Sequence, residues 1–150
     1  MPSLLFLVSV LASQSQQLTA TELSLGAATV IAHRTFAGAE LGLARRPSGD
    51  SRVALALAGG TLDGRAAAHA QLTLQLLVNP AARNGPGLYA GLGGAVTARR
   101  HAPGQGFLAV LLGCEVAPGR RHGLYLELGF AGGVRVAAGW RWRWFPPWWS

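Results

Sequence analysis

Residues 69–78 read HAQLTLQLLV. Leu72, Leu74, Leu76 and Val78 share one parity, while His69, Gln71, Thr73 and Gln75 share the other. Side chains on a strand alternate with period two, so a strand over this stretch has one wholly aliphatic face and one polar face. The fold turns on which of those faces is the inside.

The same alternation recurs on both sides of this stretch. Eight segments of roughly ten residues are predicted as strands, at 21–32, 36–44, 52–62, 66–78, 88–98, 107–116, 123–131 and 134–145. Between them lie AHRT, RRPSGDS, DGR, NPAARNGPG, RRHAPGQG, APGRRH and a Gly-Gly, which hold most of the Pro, Asn and Asp, as turns should. Asp63-Gly64 and Gly132-Gly133 read as tight hairpins. Connections this short join antiparallel neighbours, because a parallel crossover takes a dozen or more residues. One domain of 150 residues accommodates all eight segments.

Each predicted strand sorts its residues in the same way. Leu23 and Leu25 oppose Glu22 and Ser24; Leu41 and Leu43 oppose Glu40 and Gly42; Val53, Leu55 and Leu57 oppose Arg52 and three alanines. Leu88 and Leu92 oppose Tyr89, Gly91 and Gly93; Leu108, Val110, Leu112 and Cys114 oppose Ala109, Gly113 and Glu115. Leu124, Leu126 and Leu128 oppose Tyr125 and Glu127, and Val136, Trp140, Trp142 and Trp144 oppose Arg135, Arg141 and Arg143. All four glutamates therefore fall opposite leucine, together with Arg52, Arg135, Arg141 and Arg143.

A water-soluble barrel turns its aliphatic face inward and dresses the outer one for water. Here the second face is largely glycine and alanine, with few ions to hydrate it. Half of the residues are hydrophobic and only 13% are charged, against about a quarter in a typical soluble domain. The mean hydropathy is +0.29. Turned inside out, the pattern is coherent: leucine meets hydrocarbon, small residues let eight strands close, and glutamate and arginine pair in the lumen. A closed barrel also satisfies every backbone group without water. The net charge of +7 invites a nucleic-acid reading, but such a domain carries a more hydrophilic surface, and no nucleic-acid partner is expected.

The chain begins MPSLLFLVSVLASQSQQLTA. Its apolar run is too short to span a bilayer and suits the core of a secretory signal peptide, so residues 1–20 are read as an export segment. The n-region lacks lysine and arginine.

The chain ends GWRWRWFPPWWS, residues 139–150, and this stretch holds all five tryptophans. Together with the eight-segment pattern it resembles the small, OmpA-like, eight-stranded outer-membrane β-barrels of bacteria. That group ends in a strand carrying a glycine, alternating hydrophobic residues and a terminal aromatic, which the barrel-assembly machinery recognises. Gly139, Trp142, Trp144 and Phe145 match that pattern. The resemblance implies an all-β, eight-stranded, antiparallel, up-and-down transmembrane barrel over residues 21–145, located in the outer membrane. It further implies handling by the assembly machinery and contact with outer-membrane lipid and lipopolysaccharide, the barrel acting as a monomer. Two features depart from the group. Residues 146–150 continue past the terminal aromatic, with Trp148 and Trp149 read as interfacial anchors. The connections at one end are too short for adhesion or receptor loops.

Glu22, Glu40, Glu115 and Glu127 with Arg52, Arg135, Arg141 and Arg143 are read as a lumen charge cluster that fills the barrel. His69, Gln71, Gln75, Tyr89 and Tyr125 are read as its other polar residues. A proton or ion path through the same groups is the alternative, making the protein a narrow pore or transport component. The arginines in the turns, Arg45, Arg46, Arg99, Arg100, Arg120 and Arg121, are candidates for lipid phosphate or for plain interfacial anchoring. No catalytic set is expected, because no serine follows Ser51 until Ser150 and the histidines lack ligand-spaced partners. No metal or cofactor is expected, and Cys114 has no partner for an internal disulfide. A soluble lipocalin-like carrier and a cationic Trp/Arg membrane-active peptide are the remaining alternatives; the first needs an apolar lumen, and the second needs no long alternating scaffold.

Overall fold

A computed structural model of the chain describes residues 17–149. The first sixteen residues, which hold most of the expected export segment, and Ser150 lie outside the described residues. Eight strands follow one another: β1 (Ala20–Ile31), β2 (Phe36–Ser48), β3 (Ser51–Leu62), β4 (Arg65–Leu77), β5 (Pro86–Arg99), β6 (Gln105–Val116), β7 (His122–Ala131) and β8 (Val134–Trp144). Each pairs antiparallel with the next, and β8 returns to β1 to close the barrel. A single 3-10 turn, Pro147–Trp149, follows β8.

Local sequence sets the connections. Asp63 (φ 50°) and Gly64 (φ 77°) both take the left-handed conformation, which matches a two-residue hairpin to the twist of β3 and β4. Gly132 (φ 79°) does the same between β7 and β8. These two turns, with residues 32–35 and 100–104, form one end of the barrel, hereafter the hairpin end. The other end carries the start of β1, the end of β8 and the connections at 49–50, 78–85 and 117–121; it is the terminal end.

The outer face is apolar along every strand, mostly aliphatic, with tryptophan on β8. Leu72, Leu74, Leu76, Leu108, Leu112 and Leu128 are each more than half exposed. An aliphatic surface of this extent far exceeds the few hundred Å² that a soluble monomer leaves bare. The inner face buries Glu22, Glu40, Glu115 and Glu127 with five arginines. The core is thus polar at its centre, and small residues make the room for it. A Cβ on Gly113 would run into the ring of its cross-strand partner Tyr89, which lies across the lumen there.

One segment differs from the sequence expectation. RRPSGDS is not a seven-residue turn: β2 continues through Arg45, Arg46 and Pro47, with a register shift between Arg45 and Ser48, and only Gly49 and Asp50 turn. Ala20 pairs with Arg46, so β1 reaches as far as the extended β2. The physical reason is parity. Arg46 continues the inward series Glu40, Gly42, Ala44, and ion pairing inside the barrel holds it there.

Candidate functional site

The interior ion pairs form two linked tiers. At the terminal end, Glu115 on β6 is surrounded by four arginines. Arg52 Nη2 donates to its Oε1 at 2.6 Å, while Arg141 Nη1 and Arg143 Nη2 donate to its Oε2 at 2.7 Å each. Arg46 Nη2 stands 3.5 Å from the same carboxylate. Glu22 on β1 faces the same four, with Arg46 Nε at 2.5 Å and Arg52 Nε at 2.9 Å. Arg46 also donates to the carbonyls of Pro80 and Pro118 at 3.1 and 3.2 Å, which ties the two long connections of this end to the cluster.

The second tier lies toward the hairpin end. Arg135 on β8 bridges Glu40 at 2.6 Å and Glu127 at 2.8 Å. Tyr89 donates to Glu127 at 2.8 Å. Arg141 joins the tiers: its guanidinium lies 4.6 Å from the Tyr125 ring centre and 5.5 Å from that of Tyr89, and Nη2 stands 3.6 Å from Glu127. The Arg52 guanidinium also lies over the Tyr89 ring, 4.9 Å from its centre. Such contacts matter because a charge taken out of water is stable only when paired and hydrogen-bonded.

All eight charged residues assigned to the lumen from sequence are brought together here, and His69, Gln71, Gln75, Tyr89 and Tyr125 are buried with them. His69 makes a hydrogen-bond contact with Thr97, Nδ1 to Oγ1 at 2.9 Å, and packs beside Phe36 at 5.8 Å. Gln75 accepts from Arg52 at 3.1 Å and donates to Thr73 at 3.0 Å.

Three members were missed by sequence reading. Arg46, placed in a turn, is fully buried. Leu77 and Leu111 are apolar residues on the inner face, packed with Tyr89. Continuing the period-two count through β2, β4 and β6 locates all three.

Cys114 is free and partly exposed on the outer series. Gly139, Trp142 and Trp144 lie in β8, while Phe145 lies just past it, with its ring 5.8 Å from Arg46. Trp148 is exposed at the rim. Trp149 is half-buried at the same end, and its indole Nε1 donates to the Gly119 carbonyl at 2.8 Å. Of the turn arginines, Arg45, Arg100, Arg120 and Arg121 are exposed and Arg99 is half-buried. Among the described residues no three His, Cys, Asp or Glu side chains converge as a metal site would require.

The tiers sit between two open ends. A cavity of about 540 Å³ at the hairpin end is lined by Phe36, Phe107, Thr97 and Arg99 among others, and one of about 530 Å³ lies under the C-terminal turn. Between them a cavity of about 20 Å³ lies beside Glu40, Gln71, Tyr125 and Arg141. That is room for about one water.

The arrangement defines a class: a closed eight-stranded barrel with an aliphatic exterior and a charged interior, the fold of small outer-membrane barrels. No family model and no curated protein matches the chain. Solved structures do. The chain is similar to the outer membrane protein OprG from Pseudomonas aeruginosa, with a TM-score of 0.66 at 11% identity over 87% of this chain and 98% of that one. It is also similar to the N-terminal β-barrel domain of Pseudomonas aeruginosa OprF, with a TM-score of 0.56 at 14% identity over 85% and 98% of the two chains. A third likeness is to Ail, the attachment invasion locus protein of Yersinia pestis, with a TM-score of 0.54 at 13% identity over 85% and 99%. At these identities the likeness is one of fold.

Proposed function

We propose that the protein is a small integral outer-membrane barrel with a structural or envelope-interaction role and no catalysis, its lumen filled by glutamate–arginine pairs. The observation that carries this reading is the inversion of faces: leucine is exposed along all the middle strands while nine charged side chains are buried inside. In this reading residues 1–20 direct export, and the β8 residues Gly139, Trp142 and Trp144, with Phe145, present the assembly signal. The barrel works as a monomer in contact with lipid or lipopolysaccharide. The cavity of about 20 Å³ between the tiers supports a filled lumen, because eight strands enclose little more than their own side chains.

Fractionation of expressing cells tests it. The protein should sediment with outer membranes and run faster on SDS gels unheated than boiled. Recovery of folded monomer from the soluble fraction without detergent contradicts it. A narrow pore is the second reading, favoured by the two end cavities and the polar residues between them; conductance separates the two.

A further inference from the structure

The cavity of about 530 Å³ at the terminal end has an unusual wall. Arg83, Arg120, Arg121, Phe145 and Trp149 are among the residues that line it, and among the described residues no acidic one does. Arg83 is spent on the tail: Nη2 donates to the Trp149 carbonyl at 2.8 Å, and the guanidinium lies 4.7 Å from the Trp149 ring centre. Arg120 donates to Asn84 at 2.8 Å, a neutral partner. No hydrogen bond or ion pair of the Arg121 side chain is present among the described residues.

The ground beneath is also cationic. Arg143 Nη1 donates to the Arg120 carbonyl at 3.2 Å, so the cavity rests on the tier in which Arg46, Arg52, Arg141 and Arg143 share Glu22 and Glu115, with Arg141 also reaching toward Glu127. Among the described residues, neither the wall nor its floor supplies the negative charge that would balance it. Depth fixes the source of that charge. His122 stacks on Trp140 at 5.5 Å on the outer face, and Trp144 and Trp148 are exposed close by. Tryptophan gathers where headgroups lie, so the cavity opens at headgroup depth and not into bulk water.

We infer that this cavity binds the phosphate of an anionic membrane lipid, held by the Arg120 and Arg121 guanidinium groups against the wall that Arg83 and Trp149 brace. Arginine suits the role because its planar fork meets phosphate with two parallel hydrogen bonds. The inference rests on the membrane reading above and adds to it a defined lipid site.

The full chain is refolded into phosphatidylcholine vesicles, and insertion is scored by unheated gel mobility. Failure to insert overturns the membrane reading and this one with it. The inserted protein is then extracted into detergent with equimolar phosphatidylglycerol and phosphatidylcholine, and retained lipid is counted by native mass spectrometry. One phosphatidylglycerol per barrel is expected, in preference to phosphatidylcholine. The R120Q/R121Q variant should lose that preference at least about fivefold, whereas R65Q/R100Q, at the hairpin end, should keep it. Equal loss in both variants reveals diffuse charge attraction and overturns the site. Displacement of the lipid by soluble glycerol phosphate at similar concentration overturns the lipid source. Insertion without any preference for phosphatidylglycerol overturns the site while leaving the barrel reading intact.

Discussion

The Arg52 guanidinium meets the Glu115 carboxylate at 2.6 Å, joining β3 to β6 across the barrel interior. These strands are not neighbours in the sheet, so the pair works as a strut where a soluble barrel would have an apolar core. Glu115 also serves Arg141 and Arg143, which makes it the hub of the terminal tier. E115Q leaves four buried arginines facing Glu22 as their one carboxylate in that tier. Breaking a buried pair from one side costs about 3–5 kcal/mol. Urea unfolding from lipid vesicles should show a loss in that range, and the R52Q/E115Q double variant should lose less than the sum of the two single ones.

The Tyr89–Gly113 pair gives a second, steric test. The phenol ring occupies the place of a Gly113 side chain, and its hydroxyl reaches Glu127. G113V should destabilise by about 1–3 kcal/mol through overpacking. Combining it with Y89A should recover part of that loss, since the colliding ring is then gone; the unfolding midpoints of the four proteins measure the coupling.

Leu72, more than half exposed near the middle of β4, tests the direction of the outer face. An exposed leucine changed to arginine on a protein in water typically moves stability by less than about 0.5 kcal/mol. At the midplane of a bilayer the same change costs about 2–4 kcal/mol. L72R unfolded from vesicles should show the larger figure.

How far the sequence discloses this structure follows from the range of each signal. Period-two alternation is local, so the strands and the inward parity of Glu22, Glu40, Glu115, Glu127 and the arginines of β8 could all be read directly. Tight turns were equally plain, since Asp63-Gly64 names its own backbone geometry. Arg46 was hidden by chemistry that imitates a turn, because Arg-Arg-Pro-Ser-Gly-Asp looks like a loop although the first residues still alternate. Partners were out of reach. That Arg135 takes Glu40 and Glu127, while Arg52 takes Glu22 and Glu115, depends on strand order and stagger around a closed sheet. His69 reaching Thr97 on the neighbouring strand is the same effect. The fold of the last residues was hidden for another reason: Trp149 is fixed by a carbonyl at Gly119 and by Arg83, both distant in sequence.

That tail makes a fourth prediction. W149A removes an indole hydrogen bond and a cation–π contact, together worth about 1–2 kcal/mol of local stability. The global unfolding midpoint should barely move, because β8 ends before the turn. Trypsin cleavage after Arg120 and Arg121, whose connection the tail covers, should become about fivefold faster or more.

The central claim is a membrane-spanning barrel whose interior the two ion-pair tiers fill. Planar-bilayer recording of protein already shown to be inserted by its heat-shifted gel mobility tests it most directly. A filled lumen should stay silent across ordinary voltages, with conductance appearing only when the tiers are emptied, as in E115A combined with R52A. Steady, ion-selective steps from the unaltered chain would contradict it.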